Sequence, residues 1–258
     1  MTREQLQRIA HAVGERSGWD FSRVRDHRDP VPWEYLEVAQ RYLRPDCRVL
    51  DVGTGGGERF LALAPYFGSG LGVDASEEMV ATARANIPAS LSDKVTFLPM
   101  RAEQLDLEPA SFDVVLNRHA PVCPEEVVRV LKPGGVFVTQ QVGPRNTENI
   151  CRAFGCGPGG DYATDPSPDL SHLRERFRQL GCEVEAWGEY DVAYRFLDLE
   201  SFVFWLKAIP MPEDFSPDRH WEQVAHIVGT YGGPAGVVTN EHRLLLVARK
   251  RLGSSTRR

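Results

Sequence analysis

No uninterrupted apolar stretch in this sequence approaches the length of a bilayer-spanning helix. The N-terminus, MTREQLQRIAHAVGERSG, is charged throughout and lacks the apolar centre of a signal peptide. A cytoplasmic protein without membrane association is expected. Cysteine is sparse: Cys47, Cys123, Cys151, Cys156 and Cys182 are scattered and odd in number. Their spacing offers neither a disulfide framework nor a paired zinc motif, so reduced thiols and no metal are expected. A basic excess is missing too. The formal net charge is −6 and the pI about 5.7, a poor balance for gripping a phosphate backbone. Internal repeats and low-complexity tracts are absent.

What is present is a regular alternation of short β-branched runs and helical patterns. Residues 3–15 and 33–43 carry apolar residues at helical spacing, separated by the charged, proline-broken DFSRVRDHRDPVPW. Strand-like runs follow at 48–52, 70–74, 95–98, 112–116 and 136–140. FLALAPYF, SEEMVATARANI and PEEVVRVL read as helices between several of them. Such alternation implies βαβ units and a parallel sheet covered on both faces. Further on come a short helix near 146–154, the long loop GCGPGGDYATDPSPDL, and SHLRERFRQLG, a helix with Ser171 as N-cap and Gly181 as its stop. CEVEAWGEY predicts a sixth strand and residues 243–250 a seventh. Between them lies an insert at 191–235 that a minimal α/β sheet does not need.

The chemistry centres on VLDVGTGGGERF, at 49–60. Glycines between a strand and a helix allow a tight turn and a close ligand approach. No Lys-Ser or Lys-Thr follows them, which excludes a P-loop. The dinucleotide pattern G-x-G-x-x-G is nearer, but Glu58 stands at its last position. Asp51 lies two residues before Gly53, where a carboxylate can brace the loop or meet a cationic ligand group. Asp74 ends the second strand, 21 residues after Gly53, where an acid can accept both hydroxyls of a ribose. An acid at the glycine loop suits a ligand carrying positive charge better than a pyrophosphate. The bland alternatives are glycines that merely pack helix on strand, and Asp74 as a helix cap before SEEM.

Taken together, these segments resemble the class I S-adenosylmethionine-dependent methyltransferases. VLDVGTGGG resembles their first motif, D-x-G-x-G, and GVDASEEMV their second, with Asp74 as the ribose acid. RAEQLDL resembles the adenine-contacting motif, with Ala102 and Glu103 near the base. FDVVLNRHA and LKPGGVFV resemble the fourth-strand motif and the turn into strand five. The resemblance implies S-adenosyl-L-methionine as cofactor and S-adenosyl-L-homocysteine as product. It implies cofactor contacts from Asp51, Gly53, Thr54, Gly55, Asp74, Ala75, Ala102, Glu103 and Asn117. The implied fold is α/β, a Rossmann-like doubly wound seven-stranded sheet with six parallel strands and one antiparallel. A helical N-terminal segment (1–44) and a helical insert between strands six and seven (191–235) are added to it. The expected organisation is a single domain over 1–251, with the cofactor half at 45–142 and a flexible tail at 252–258.

Methyl transfer from a sulfonium is an in-line displacement, accelerated by holding the acceptor on the methyl's axis in a dry pocket. Residues 117–123 and 140–143, after the fourth and fifth strands, are expected to face that acceptor. His119 is the candidate general base, its reference pKa lying near neutral. Cys123 lacks the Pro-Cys order of cysteine nucleophiles acting on pyrimidines, and the Asn-Pro-Pro-Tyr signature of adenine methylation is absent. RHAPVCPEEVVRVLKPGGVFVTQQVGPRN is similar to a ribosomal-RNA guanine-N1 methyltransferase family, but no cysteine precedes Cys47 to supply that family's zinc cluster. A small-molecule acceptor is expected, with RNA as the alternative. A non-catalytic cofactor-binding module and an NAD-dependent oxidoreductase remain as rivals of other classes. Residues 187–231 hold ten of the 24 aromatics, read either as a lid that selects the acceptor or as packing for helices.

Overall fold

The structure, a computed structural model, describes residues 1–14, 21–156, 170–209, 212 and 215–252. In chain order the elements are α1 (Arg3–Val13), β1 (Asp26–Arg28), α2 (Tyr35–Gln40), β2 (Arg48–Val52), α3 (Glu58–Leu63), β3 (Ser69–Asp74), α4 (Glu77–Ala85), β4 (Val95–Pro99) and β5 (Phe112–Arg118). Then follow α5 (Pro124–Val130), β6 (Leu131–Val142), α6 (Glu148–Ala153), α7 (Leu170–Gln179), β7 (Cys182–Phe196), α8 (Leu199–Ala208), α9 (Trp221–Tyr231), β8 (Gly232–Gly233) and β9 (Gly236–Lys250). The chain divides into two compact units. One comprises 1–31, 142–167 and 190–243; the larger comprises 32–141, 168–189 and 244–258.

In the larger unit the strand order is β7-β9-β6-β5-β2-β3-β4. The ladders β4·β3, β3·β2, β2·β5 and β5·β6 are parallel. Alternation along each strand sends side chains to two separate cores, as the strand repeat of two dictates. Val49, Val114, Leu116, Val136 and Val138 join Tyr35, Val38, Phe60, Leu63, Val80 and Ala83 from α2, α3 and α4. Leu50, Val52, Val115 and Phe137 join Val127, Val130, Leu173 and Phe177 from α5 and α7. Helices therefore cover both sheet faces. The order of connection reverses where β2 lies between β3 and β5, which opens a crevice beyond the C-terminal ends of those strands.

The other unit has its own core. Leu6, Ala10 and Val13 of α1 pack with Ile150, Phe196, Phe202, Phe204, Trp205, Val224 and Ile227. The N-terminal segment and the insert, expected as separate additions to one domain, thus share one interior. α1 is closed by a capping box in which Thr2 and Gln5 satisfy each other's backbone N–H groups. Here β1 pairs antiparallel with the last residues of β7.

Several expectations change. The described residues form nine strands, not seven. Counterparts of the seven expected runs are β2–β7 and β9, and the additions are β1, inside the charged loop before Trp33, and the two-residue β8. Hydrophobic patterning missed β1 because DHR offers no apolar alternation. β7 runs on to Phe196 and β9 begins at Gly236, so the insert's helices occupy only 199–231. Lys132-Pro133-Gly134-Gly135, expected as a turn, bulges within β6, where pairing jumps from Leu131 to Val136. Lys132 anchors that bulge by donating to Asp113 Oδ2 at 2.8 Å. Ser171, expected as an N-cap, lies inside α7, while Gly181 (φ 84°) does end that helix. Most of GCGPGGDYATDPSPDL, part of AIPMPEDFSP and the tail from 253 lie outside the described residues.

Candidate active site

Parallel register brings the candidate residues to one edge of the larger unit. Val52 pairs with Asn117, Asp74 with Pro99, and Arg118 with Gln140. The glycine turn 53–57, the end of β3 and the loop after β5 therefore lie at the same ends of adjacent strands. Gly53 and Thr54 both donate backbone N–H groups to the Val73 carbonyl, which ties the turn to β3. A Cβ on Gly53 would stand 2.1 Å from the Ala120 Cβ, so this glycine admits the loop after β5. Gly57 is taken up by packing as well, since a Cβ there would meet the Phe97 ring at 2.7 Å. Packing thus accounts for part of the glycine run.

Asp74 is half-buried and already engaged. Oδ2 accepts the Gly55 N–H at 2.8 Å and Oδ1 the Ser76 N–H at 2.9 Å. It braces the glycine turn and the start of α4 at once; the cap of α4 is Ser76, whose hydroxyl accepts from Met79. A carboxylate oxygen has two acceptor directions, so each Asp74 oxygen keeps one for a ligand.

Asp51 differs. It is 8% exposed, and burial pushes its carboxyl up to about 7. Asp74's charge adds to the rise, and Arg118 opposes it. The Thr54 hydroxyl also opposes it, without reaching hydrogen-bonding geometry. Close by is Tyr35, the first residue of α2 and 6% exposed. Burial raises its phenol well above the usual range, and Asp51 pushes it the same way. Both the Tyr35 and the Thr54 hydroxyls are buried with no hydrogen-bond partner. Two orphaned hydroxyls beside a desolvated carboxylate form a polar pocket whose needs the protein itself does not meet. Sequence reasoning missed Tyr35 because a tyrosine at helical spacing reads as core, and its ring does belong to the core.

The remaining candidates sort clearly. Asn117 is 1% exposed, and its side chain is fully committed. Its amide donates to the Val52 and Pro121 carbonyls at 3.0 and 3.1 Å, and its oxygen accepts from Thr139 and Gln141 at 2.9 and 2.6 Å. No side-chain hydrogen-bonding capacity is left for a cofactor, so it shapes the loop after β5 instead. Ala75 is exposed and Ala102 half-buried. Glu103 is exposed and paired with Arg101 at 3.5 Å, in a turn closed by an Arg101–Gln104 bridge. His119 follows β5 with φ 55°, a conformation non-glycine residues rarely adopt, and its N–H donates to the Gln140 carbonyl at 2.9 Å. Cys123 directly precedes α5, 3.8 Å from Glu125. Phe202, Phe204 and Trp205 of the aromatic insert are core residues of the other unit.

Comparison with known proteins fits this geometry. Residues 49–135 match the family model described as a methyltransferase domain. An uncharacterized methyltransferase, YcgJ of Bacillus subtilis, is 37% identical over 110 residues, covering 40% of this chain and 44% of that protein. Demethylmenaquinone methyltransferase of Symbiobacterium thermophilum is 35% identical over 117 residues, covering 41% and 47%. Each match spans less than half the length of the relative. Among solved structures, a SAM-dependent methyltransferase from Thiobacillus denitrificans in complex with S-adenosyl-L-homocysteine shares the fold. Its TM-score is 0.53 at 19% identity, covering 95% of this chain and 98% of that one. Residues 49–135 thus match a methyltransferase domain, and the sheet built around them has the fold of a SAM-dependent methyltransferase.

Proposed function

We propose that the protein transfers the methyl group of S-adenosyl-L-methionine to a small-molecule acceptor by in-line displacement. The observation that carries this reading is the pocket at Asp51. An unpaired, desolvated carboxylate flanked by the orphaned hydroxyls of Tyr35 and Thr54 calls for a ligand bearing positive charge and hydrogen-bonding groups. The amino-acid end of S-adenosylmethionine has that character; a dinucleotide pyrophosphate has the opposite charge. In this reading Asp51, Gly53, Thr54 and Gly55 hold the amino-acid end, with Tyr35 added to them. Asp74 accepts the ribose hydroxyls on the directions its backbone bonds leave open. Ala75, Ala102 and Glu103 line the adenine side.

When bound, the cofactor supplies a methyl group already activated by the sulfonium. The protein's work is then to hold, orient and keep out water. The braced loop after β5 supports the acceptor side, with Asn117 and Gln141 fixing its backbone. The acidic balance of the chain supports a small acceptor over RNA. The five free thiols suit a reducing, cytoplasmic setting. Among the described residues, no helix is long and apolar enough to cross a membrane.

Titration calorimetry with S-adenosylmethionine and with NAD, followed by transfer of labelled methyl into small-molecule and RNA fractions of a cell extract, tests the reading. Donor binding with label in the small-molecule fraction supports it. NAD binding alone would assign an oxidoreductase. Label in RNA would move the acceptor class, and donor binding without any transfer would leave a non-catalytic module.

A further inference from the structure

The end of α6 brings two thiols together. The helix closes in a Schellman turn: the Cys156 N–H donates to the Cys151 carbonyl at 2.8 Å, and the Gly155 N–H to the Arg152 carbonyl at 3.0 Å. Gly155 takes the left-handed position that this turn requires, with φ 70°. In such a turn the residue opening the last helical turn and the residue just after the glycine pack side chain against side chain. Here both are cysteines. Cys156 is 6% exposed within the core of its unit, and half-buried Cys151 packs against that same core. The hydrogen bond between them keeps the two Cα atoms within about 6.7 Å of each other, a span that a disulfide bridges. Both are free thiols in this structure.

We propose that Cys151 and Cys156 form an oxidisable dithiol, which a low-molecular-weight disulfide converts into a disulfide bond that locks the C-terminal end of α6. The half-buried Cys151 reacts first. Its thiolate attacks one sulfur of the small disulfide, displaces one small thiolate and leaves a mixed disulfide on Cys151 Sγ. The Cys156 thiolate then attacks that Sγ and displaces the second small thiolate. The two protons lost by the cysteines end on the two released thiols. Two protein thiols are oxidised to one S–S bond while one external S–S bond is reduced to two thiols.

The surroundings suit a bond that is kept once made. Burial pushes both thiols up, so the reduced form holds no stabilised thiolate that the disulfide would forfeit. The Cys151 thiol donates to the Asn146 carbonyl at 3.4 Å, and the Thr147 hydroxyl donates to that same carbonyl at 2.7 Å. The carbonyl therefore keeps a donor when Cys151 Sγ turns toward Cys156. Cys47 and Cys182 lie in the two separate cores of the larger unit and serve as internal controls.

The test needs neither methyl donor nor acceptor. The full chain is equilibrated in glutathione buffers of rising oxidised-to-reduced ratio, quenched by alkylation and mapped without reduction. Trypsin cuts after Arg145, Arg152 and Arg174, which puts the two cysteines in different peptides. A disulfide-linked pair of peptides 146–152 and 153–174 is expected to accumulate as the ratio rises, while Cys47 and Cys182 stay alkylated. Amide hydrogen exchange at 154–156 should slow severalfold in the oxidised protein, because the bond staples the turn that those amides close. In Cys156→Ser the same buffers should leave that exchange unchanged. Both thiols alkylated at the most oxidising ratio, or each carrying its own glutathione, overturns the proposal. A linked pair without slower exchange overturns the lock, and slowing that persists in Cys156→Ser places the oxidant's effect elsewhere and overturns it too.

Discussion

Two largely desolvated carboxylates, one in each unit, are solved in opposite ways. Glu241 of β9 accepts from Tyr190 at 2.7 Å and from Arg28 at 3.1 Å, and its other oxygen accepts from Arg243 at 3.0 Å. Burial alone would raise its pKa, yet these partners hold it below the usual value. Asp51 has no such escort, and burial carries it up to about 7. Removing either charge from water is costly, and only at Glu241 does the protein supply the compensation. An uncompensated carboxylate persists at a site that something else completes. Glu241 therefore belongs to the architecture of its unit, while Asp51 awaits a cation. If that contrast is correct, damage at Glu241 and its surroundings should appear as lost stability, and damage around Asp51 as lost donor affinity.

The largest loss is expected at Phe204, 2% exposed and packed with Phe21 at 6.3 Å between ring centroids. Phe204→Ala should cost about 3–5 kcal/mol by leaving a cavity, read as the denaturant midpoint. Donor affinity at low temperature should change little. A small stability loss together with altered acceptor kinetics would restore the lid reading of these aromatics. Glu241→Ala comes next, with about 3 kcal/mol from leaving Arg243 buried and short of its counter-charge. Unfolding and donor titration on the same sample would break the comparison if donor affinity fell and stability held.

Asp74→Ala should reverse the pattern. It removes the acceptor for the Gly55 and Ser76 N–H groups and, in the proposed reading, for the ribose. Two lost bonds to a charged acceptor correspond to roughly a hundredfold weaker donor binding. Calorimetry showing an unchanged dissociation constant would remove Asp74 from the ribose site.

The larger unit's central strands were legible because β-branched runs alternate with helical patterns, and because glycine and aspartate at strand ends have few other uses. Its site was legible only in part. Asp51 and Asp74 announce themselves by position. Asn117 sits in the right motif, but what its amide does depends on Thr139 and Gln141, two strand residues that look like ordinary polar interruptions. Tyr35 is invisible in sequence, since nothing local distinguishes an orphaned hydroxyl from a satisfied one. The other unit was legible only as composition, for a different reason. Phe202, Phe204 and Trp205 are too dense for a one-sided helix, and their partners Leu6, Ala10 and Ile150 lie far away along the chain. Composition revealed the cluster, but only the tertiary fold shows that it closes on α1.

The smallest expected effect is the most specific to the contrast. With a folded pKa near 7, Asp51 is largely protonated in the ligand-free protein below neutrality. A cationic donor prefers the carboxylate, so binding at acid pH must first expel a proton. Donor affinity should rise about tenfold per pH unit up to 7 and flatten above it. Stability of the free protein runs the other way. The folded pKa exceeds the unfolded value, so the folded state binds the extra proton between about 4 and 7. The associated stability is fully present below that window and lost as pH rises through it. Asp51→Asn should abolish the pH slope of donor binding at an affinity below the wild-type plateau, and the ligand-free variant should outlast the wild type above pH 7. Calorimetry and thermal unfolding from pH 5 to 8 on both proteins provide the measurement. A wild-type affinity flat across that range would mean that Asp51 is already ionised by partners inside the fold. It would then be a brace of the same kind as Glu241, and the cation-binding role would pass to another group.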